Sequence, residues 1–345
     1  MLGLTGLLGL LMIGATVDMG SMFGEDVPTG PDDGTDDAQD NNAASADSGS
    51  LDLIMEPGSG GATAQDPAED EVLPRQPDND VVFFLSAGES GVLHGSDFDD
   101  VLDGSDGDDL IGGSDGDDIL YGNDGDDELN GDLGDDTLMG GLGDDELYGH
   151  SGDDSIAGGE GNDWMIGGEG ADSLDGAAGD DRLMAGPGDD LVIGGEGSDV
   201  VNGNDGNDRL FGVSTGSSIS DMVDDMARDY LNGSAGDDML VIGANDNAHG
   251  GAGADSFVLG DWLGEGEPAV IEDFDPAEDE LVVVYDDSAH AAPELGLQAD
   301  PDDPGSMILT LDGVAVAELI DQAGLDLDQI TLLPASALPL PAPAA

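Results

Sequence analysis

The chain has 345 residues, 81 of them Asp or Glu and 4 of them basic, all arginine, with no cysteine. A formal charge of −77 excludes nucleic acid as a partner, since that binding relies on Lys and Arg displacing counterions, and it opposes an anionic membrane surface. With 59 glycines and 4% aromatic residues, one large globular core is excluded as well, whereas a solenoid adding one thin apolar layer per coil fits. A cysteine-free chain needs no disulfide chemistry and is compatible with export into an oxidising medium.

Residues 1–17, MLGLTGLLGLLMIGATV, are uncharged and rich in Leu and Gly. They are fewer than the roughly 20 apolar residues that span a bilayer and have no Lys or Arg before them as a signal peptide would, so a signal, an anchor and neither all stand as readings. They read as a hydrophobic leader, the one part of the chain offering membrane contact. Residues 18–80 are Asp, Gly, Pro, Ser and Ala without periodicity, the composition of a disordered acidic linker. The run VVFFL at 81–85 opens an N-terminal cap over residues 81–94. It is expected to lie over Val101, Leu110 and Ile119, apolar residues on a face that should otherwise be wet.

From residue 95 to 211 the chain repeats every nine residues, thirteen times, with no insertion or deletion, as in GSDGDDLIG and GNDGDDELN. The sixth position is Asp throughout: Asp100, Asp109, Asp118, Asp127, Asp136, Asp145, Asp154, Asp163, Asp172, Asp181, Asp190, Asp199 and Asp208. The eighth is aliphatic throughout, from Leu102 through Leu138 and Met165 to Leu210. Positions one and four are Gly except at Ala185 and Phe98. Alternation along a strand sends the eighth side chain one way and the seventh and ninth the other, so the aliphatic column is the core. A Gly-rich turn has no side chain to pack and loses much entropy on ordering, so something else must order it. Calcium takes six to eight oxygens from carboxylates and carbonyls, which a Gly/Asp turn supplies.

These residues match the nonapeptide GGxGxDxUx, with U aliphatic, and the chain thereby resembles the repeats-in-toxin, or haemolysin-type, calcium-binding family. The resemblance implies an all-β fold, a parallel β-roll in which six residues of each unit form a turn, three form a short strand, and two units make one coil. Turns stacked on one edge are then eighteen residues apart, so Asp109 faces Asp127 and Asp118 faces Asp136. Coils about 4.8 Å apart would set uncompensated carboxylates against one another, and a divalent cation between them reverses the sign. The sixth-position aspartates are the implied ligands for multiple calcium ions. The acidic fifth position, Asp99 and Asp108 among others, would contribute its main-chain carbonyl. Without calcium the tract is expected to be unfolded.

After Gly212 the frame breaks, and RDYLNG restores it with Asp229 at position six and Leu231 at position eight. Ile219, Met222, Val223, Met226 and Tyr230 recur at helical spacing behind a Ser220 N-cap, predicting a short helix in an insertion at 213–228 that packs against the roll. Another full unit carries Asp238; IGANDNAH is eroded and one residue short; GGAGADSFV closes the array at 258 with Asp255, and both aspartates join the ligand set. Residues 259–333 read as an antiparallel β cap. It comprises two strands joined by an acidic Pro turn (AVIEDFDPAEDELVVVY), a hairpin turning at Asp312-Gly313, and the strand of LDQITLL. The Pro/Ala tail 334–345 follows, and the resemblance places an uncleaved type I secretion signal in this C-terminal region.

His94, His150, His249 and His290 are far apart, there is no HExxH, GxSxG, P-loop or dinucleotide fingerprint, and an enzyme is not expected. The sequence reads as a secreted, calcium-binding β-roll acting as a structural, surface or adhesive module, with cell-surface or matrix components as candidate partners. The alternatives are the non-catalytic targeting and folding part of an exported hydrolase or sugar-modifying enzyme, and an acidic calcium store or mineral template.

Overall fold

A computed structural model describes residues 81–84, 90–214, 222–260, 263, 266–287 and 292–335, all within the compact unit Gln76–Ala344. The leader, the linker and the tail beyond residue 335 lie outside the described residues. Two sheets run the length of the unit, one of twelve strands and one of thirteen. Up to Glu280–Tyr285 successive strands alternate between them, so each pairs in parallel with the strand two before it. This is the parallel β-roll, and Leu129 beside Leu147 shows its register of eighteen residues per coil.

The repeating strands are six residues long rather than three, as in Glu128–Leu133 and Glu146–Ser151. They cover positions seven to nine of one unit and one to three of the next. Asn130 pairs with Tyr148 and Asp132 with His150, while the intervening position-one glycine is skipped. The strand bends there because position two takes a left-handed φ, 77° at both Asp132 and His150. The three-residue turn that remains is closed by the position-four glycine. At Gly134 φ is 136°, and a Cβ would collide with the carbonyl oxygen of Gly116 in the coil below, so only glycine satisfies both the dihedral and the approach.

The eighth-position side chains fill the space between the sheets, fully buried from Leu102 through Leu138 to Leu210. The outward rows differ between the sheets. On the thirteen-stranded sheet the position-nine row Ile166, Met184, Asn202 and Asn232 is half-buried or exposed. On the twelve-stranded sheet the row Phe211, Val241, Val258 and Val282 points away from the inner core and is nevertheless buried, in a second apolar cluster with Val213 and Met222. Those last two residues belong to the insertion, whose described part packs on the roll at this place.

The insertion is not a helix where it is described. Residues 215–221, which include Ile219 and Ser220, lie outside the described residues; Ser214 makes an antiparallel bridge to Val223, and 224–229 follow an irregular path. Consecutive aspartates explain this, since Asp224 Oδ1 accepts the Met226 N–H and Asp225 Oδ1 the Ala227 N–H, each at 2.9 Å or less, and Met226 adopts φ 65°. Such local bonds compete with a helix for the same amides.

The N-terminal cap differs as well. Val81–Phe84 does not lie across the outward face but adds a parallel rung beside Asp100–Asp103, while Val92–His94 adds the first rung of the other sheet. At the opposite end the parallel ladder continues beyond the repeats: Ala269–Ile271 extends one sheet and Glu280–Tyr285 the other. Leu281 and Ile271 occupy the core column there and are fully buried. Antiparallel pairing is confined to Leu295–Ala299, Met307–Leu311 and Val314–Leu319. The hairpin turns at Asp312 (φ 51°) and Gly313 (φ 83°), both left-handed, as Asp-Gly predicts. Ile330–Pro334, after one turn of 3₁₀ helix, is the final parallel rung.

Candidate metal centre

Position six lies two residues past the turn glycine, and its carboxylate folds back into the roll beneath the turn. The result is two columns of buried aspartates. One runs Asp100, Asp118, Asp136, Asp154, Asp172, Asp190, Asp208, Asp238, Asp255; the other runs Asp109, Asp127, Asp145, Asp163, Asp181, Asp199. All fifteen are at least 96% buried, Asp109 being the most exposed at 4%. Within a column each Oδ1 accepts the N–H of the aspartate one coil earlier: Asp118 donates to Asp136 at 2.7 Å and Asp136 to Asp154 at 2.8 Å.

The columns contain more than the ligand set expected from the sequence, which omits Asp229 although that residue stands at position six. Asp229 accepts from Asp199 at 2.9 Å and Asp246 from Asp229 at 3.0 Å, prolonging one column; Asp279 accepts from Asp255 at 3.0 Å, prolonging the other. Each was marked in the sequence by an apolar core residue two places on, Leu231, Ala248 and Leu281. The one-residue shortening around Asp246 and the altered turn before Asp279 hid the signal.

Position five behaves differently. Its carboxylates are exposed, and their Oδ1 atoms accept the N–H of position five one coil later, as from Asp135 to Asp117 at 3.0 Å and from Asp153 to Asp135 at 2.9 Å. The two acidic columns therefore tie each coil in opposite directions along the axis, one inside and one in water.

The second oxygen of the buried column is the unusual feature. Oδ2 is buried and without a hydrogen-bond partner from Asp109 through Asp208 and again at Asp238. It points at the position-one glycine: a Cβ on Gly122 would meet both Asp127 Oδ2 and the carbonyl oxygen of Gly140, and one on Gly140 would meet Asp145 Oδ2 and the carbonyl oxygen of Gly158. An orphaned carboxylate oxygen and a main-chain carbonyl thus line the same space, kept open by the absent side chain. Burying an acceptor with no donor costs free energy and calls for a positive partner.

Protonation is the only remedy within the chain itself. Burial pushes Asp136 up to about 7; the N–H of Asp118 pulls the other way, and the carboxylates of Asp154 and Asp118 add to the rise. Asp145, Asp181 and Asp190 rise to about 7 by the same causes. In Asp118 and Asp127 the rise is to about 6, again led by burial.

Among the described residues no three Asp, Glu or His side chains converge as a metal-ligand cluster. A cation held here draws its remaining ligands from main-chain carbonyls and water. All-oxygen donors of this kind suit a hard cation such as calcium, and the lack of sulfur or imidazole ligands disfavours zinc. The residues present fit calcium.

Comparison with known proteins agrees with this donor set. The RTX calcium-binding nonapeptide repeat matches residues 88–120, 112–147, 148–183, 157–192, 184–213 and 242–261. No curated protein matches the chain. Among solved structures, the extracellular lipase LipA from Serratia marcescens is similar at 21% identity, over 68% of this chain and 40% of the lipase, with a TM-score of 0.25. The chain thus spans well under half of that lipase's length.

Proposed function

The repeats between residues 88 and 261 belong to the RTX calcium-binding nonapeptide family, and on that premise we propose that the chain is a secreted protein whose roll folds around several calcium ions. The observation that carries this reading is the file of orphaned Oδ2 atoms, one in each repeat from Asp109 to Asp208 and again at Asp238, beside carbonyl-lined gaps. The position-six aspartates from Asp109 to Asp208, with Asp238 and Asp255, hold the ions. Calcium neutralises carboxylates that burial would otherwise force to take up protons, so binding and folding are one event.

Its role is structural rather than catalytic: a stiff, acidic spacer or surface module that forms where calcium is plentiful, with cell-surface or matrix components as its partners. With Kd values of about 10⁻⁴ to 10⁻³ M, typical of extracellular calcium modules, the sites fill outside a cell and stay empty in cytosol. Circular dichroism of the full chain tests this. Millimolar calcium is expected to produce the β signature and chelation to abolish it; equal β content in both conditions overturns the reading.

A further inference from the structure

Every position-six carboxylate from Asp109 to Asp208, and Asp238, leaves Oδ2 buried without a donor, whereas at three ends of the columns Oδ2 has one. Asp100 heads one column, and its Oδ2 accepts the backbone N–H of Ser96 at 2.6 Å and the Ser96 hydroxyl at 2.8 Å. Asp279 closes that column, its Oδ2 accepting the Asp275 N–H at 2.7 Å. Asp246 closes the other, its Oδ2 accepting the Gly243 N–H at 2.6 Å.

These three ends share no sequence. Ser96 belongs to the first repeat, Gly243 to the shortened GAND turn, and Asp275 to the post-repeat DPAED turn. Each nevertheless delivers an amide to the oxygen that is orphaned elsewhere. The backbone shows how. Ser96 is the one position-two residue of the thirteen units outside the left-handed region that Ser105, Ser114, Asn123 and their successors occupy. At Asp246 the insertion braces the donor turn, since Asp224 Oδ2 accepts the Ala244 N–H at 2.9 Å. At Asp279 the turn is closed by the return bond from the Asp279 N–H to the Asp275 carbonyl at 2.7 Å.

We propose that Asp100, Asp246 and Asp279 are protein-capped ends of the two carboxylate columns, and that cations occupy the roll only between them. A buried carboxylate oxygen is satisfied by a donor or by a cation, and here the chain supplies the donor. The inference rests on the calcium reading above and sharpens it: Asp100, chosen by repeat position alone, is a structural acceptor rather than a ligand. The shortened repeat and the insertion serve as a stop for one file of ions, as the DPAED turn does for the other.

The test uses the full chain saturated with calcium, and separately with terbium, crystallised for anomalous scattering. Ions are expected beside the interior carboxylates and none within about 2.6 Å, the coordination distance, of Oδ2 in the three capped residues. An ion at any of those three oxygens overturns the proposal. Equilibrium dialysis gives a second arm. Asp136→Asn is expected to lower the number of bound calcium ions, whereas Asp100→Asn, Asp246→Asn and Asp279→Asn leave it unchanged; a lost ion in any of the last three also overturns it. Should Asp100→Asn fail to fold, Ser96→Ala, which keeps the N–H, is expected to retain the full count, and loss of an ion there counts against the proposal. Absence of calcium binding by the unaltered chain would instead refute the underlying reading.

Discussion

The repeats up to residue 258 and the stretch from Glu280 to the end of the described chain continue the same parallel ladder, yet they are held together differently. In the first, each rung carries one buried apolar residue and one buried carboxylate, which from Asp109 to Asp208 and at Asp238 has an unmet oxygen. In the second, Leu281, Val283, Leu309, Ala317 and Leu319 are buried, and Ser306 is the one buried polar side chain among the described residues from 280 on. The same backbone path can therefore be stabilised by ions threaded between turns or by apolar packing alone, and the choice decides which half answers to calcium.

Chelation should expose that difference most. In hydrogen exchange, amides of residues 95–258 are expected to lose protection when calcium is removed, and those of Glu280–Tyr285 and Met307–Leu319 to lose much less. Uniform loss would show that the two halves form one cooperative unit.

Acid should partly replace calcium in the first half only. The folded-state values near 7 for Asp136, Asp145 and Asp181 lie above the ordinary 3.8, so the folded chain binds more protons than the unfolded one between those limits. Stability of the calcium-free roll is thus lowest above about pH 7 and rises as pH falls toward 4. Circular dichroism of the chelated chain at about pH 5 is expected to regain β structure relative to pH 8; a further loss would contradict the sign.

Point substitutions resolve single rungs. Leu138→Asp places a charge in the inner core and should cost several kcal/mol, whereas Thr137→Asp, one residue earlier on the outer face, should change stability by less than about 0.5 kcal/mol. Calcium-titrated unfolding of both variants would show comparable losses only if the alternation were misassigned. The smallest contrast is between glycines. Gly134→Ala adds a Cβ against the Gly116 carbonyl oxygen and should cost more than about 2 kcal/mol, while Gly313→Ala, left-handed at φ 83° with nothing within 4 Å, should cost about 1 kcal/mol in thermal unfolding.

What the sequence displayed was whatever recurs with one chemical identity. Asp at position six and an aliphatic at position eight announced the columns and the core, and Asp312-Gly313 announced its turn. Position two was hidden because Ser114, Asn123, Asp132, His150 and Ala177 share only a left-handed φ, which no single side chain encodes. A telling sign was available: no β-branched residue stands there in the thirteen units. The doubled strand length was hidden for the same reason, since positions one to three carry no apolar signal. The insertion misled in the other direction, because Met222 and Met226 sit at helical spacing while Asp224 and Asp225 between them consume the amides a helix would use.

The alternation of strands between two sheets has a consequence for how such a chain can change length. Removing eighteen residues takes out a whole coil and leaves every remaining rung on its own face. Removing nine would shift parity: everything on one side of the cut would turn half a coil against the other. The outward row that includes Ile166, Met184 and Asn202 would then run into the row of Phe211 and Val241 that the insertion covers. The two carboxylate files would cross over as well, joining a head capped by Ser96 to a tail capped by Gly243. Growth and loss of this array are therefore quantised in pairs of units, with the single nonapeptide a unit of sequence and the pair a unit of structure.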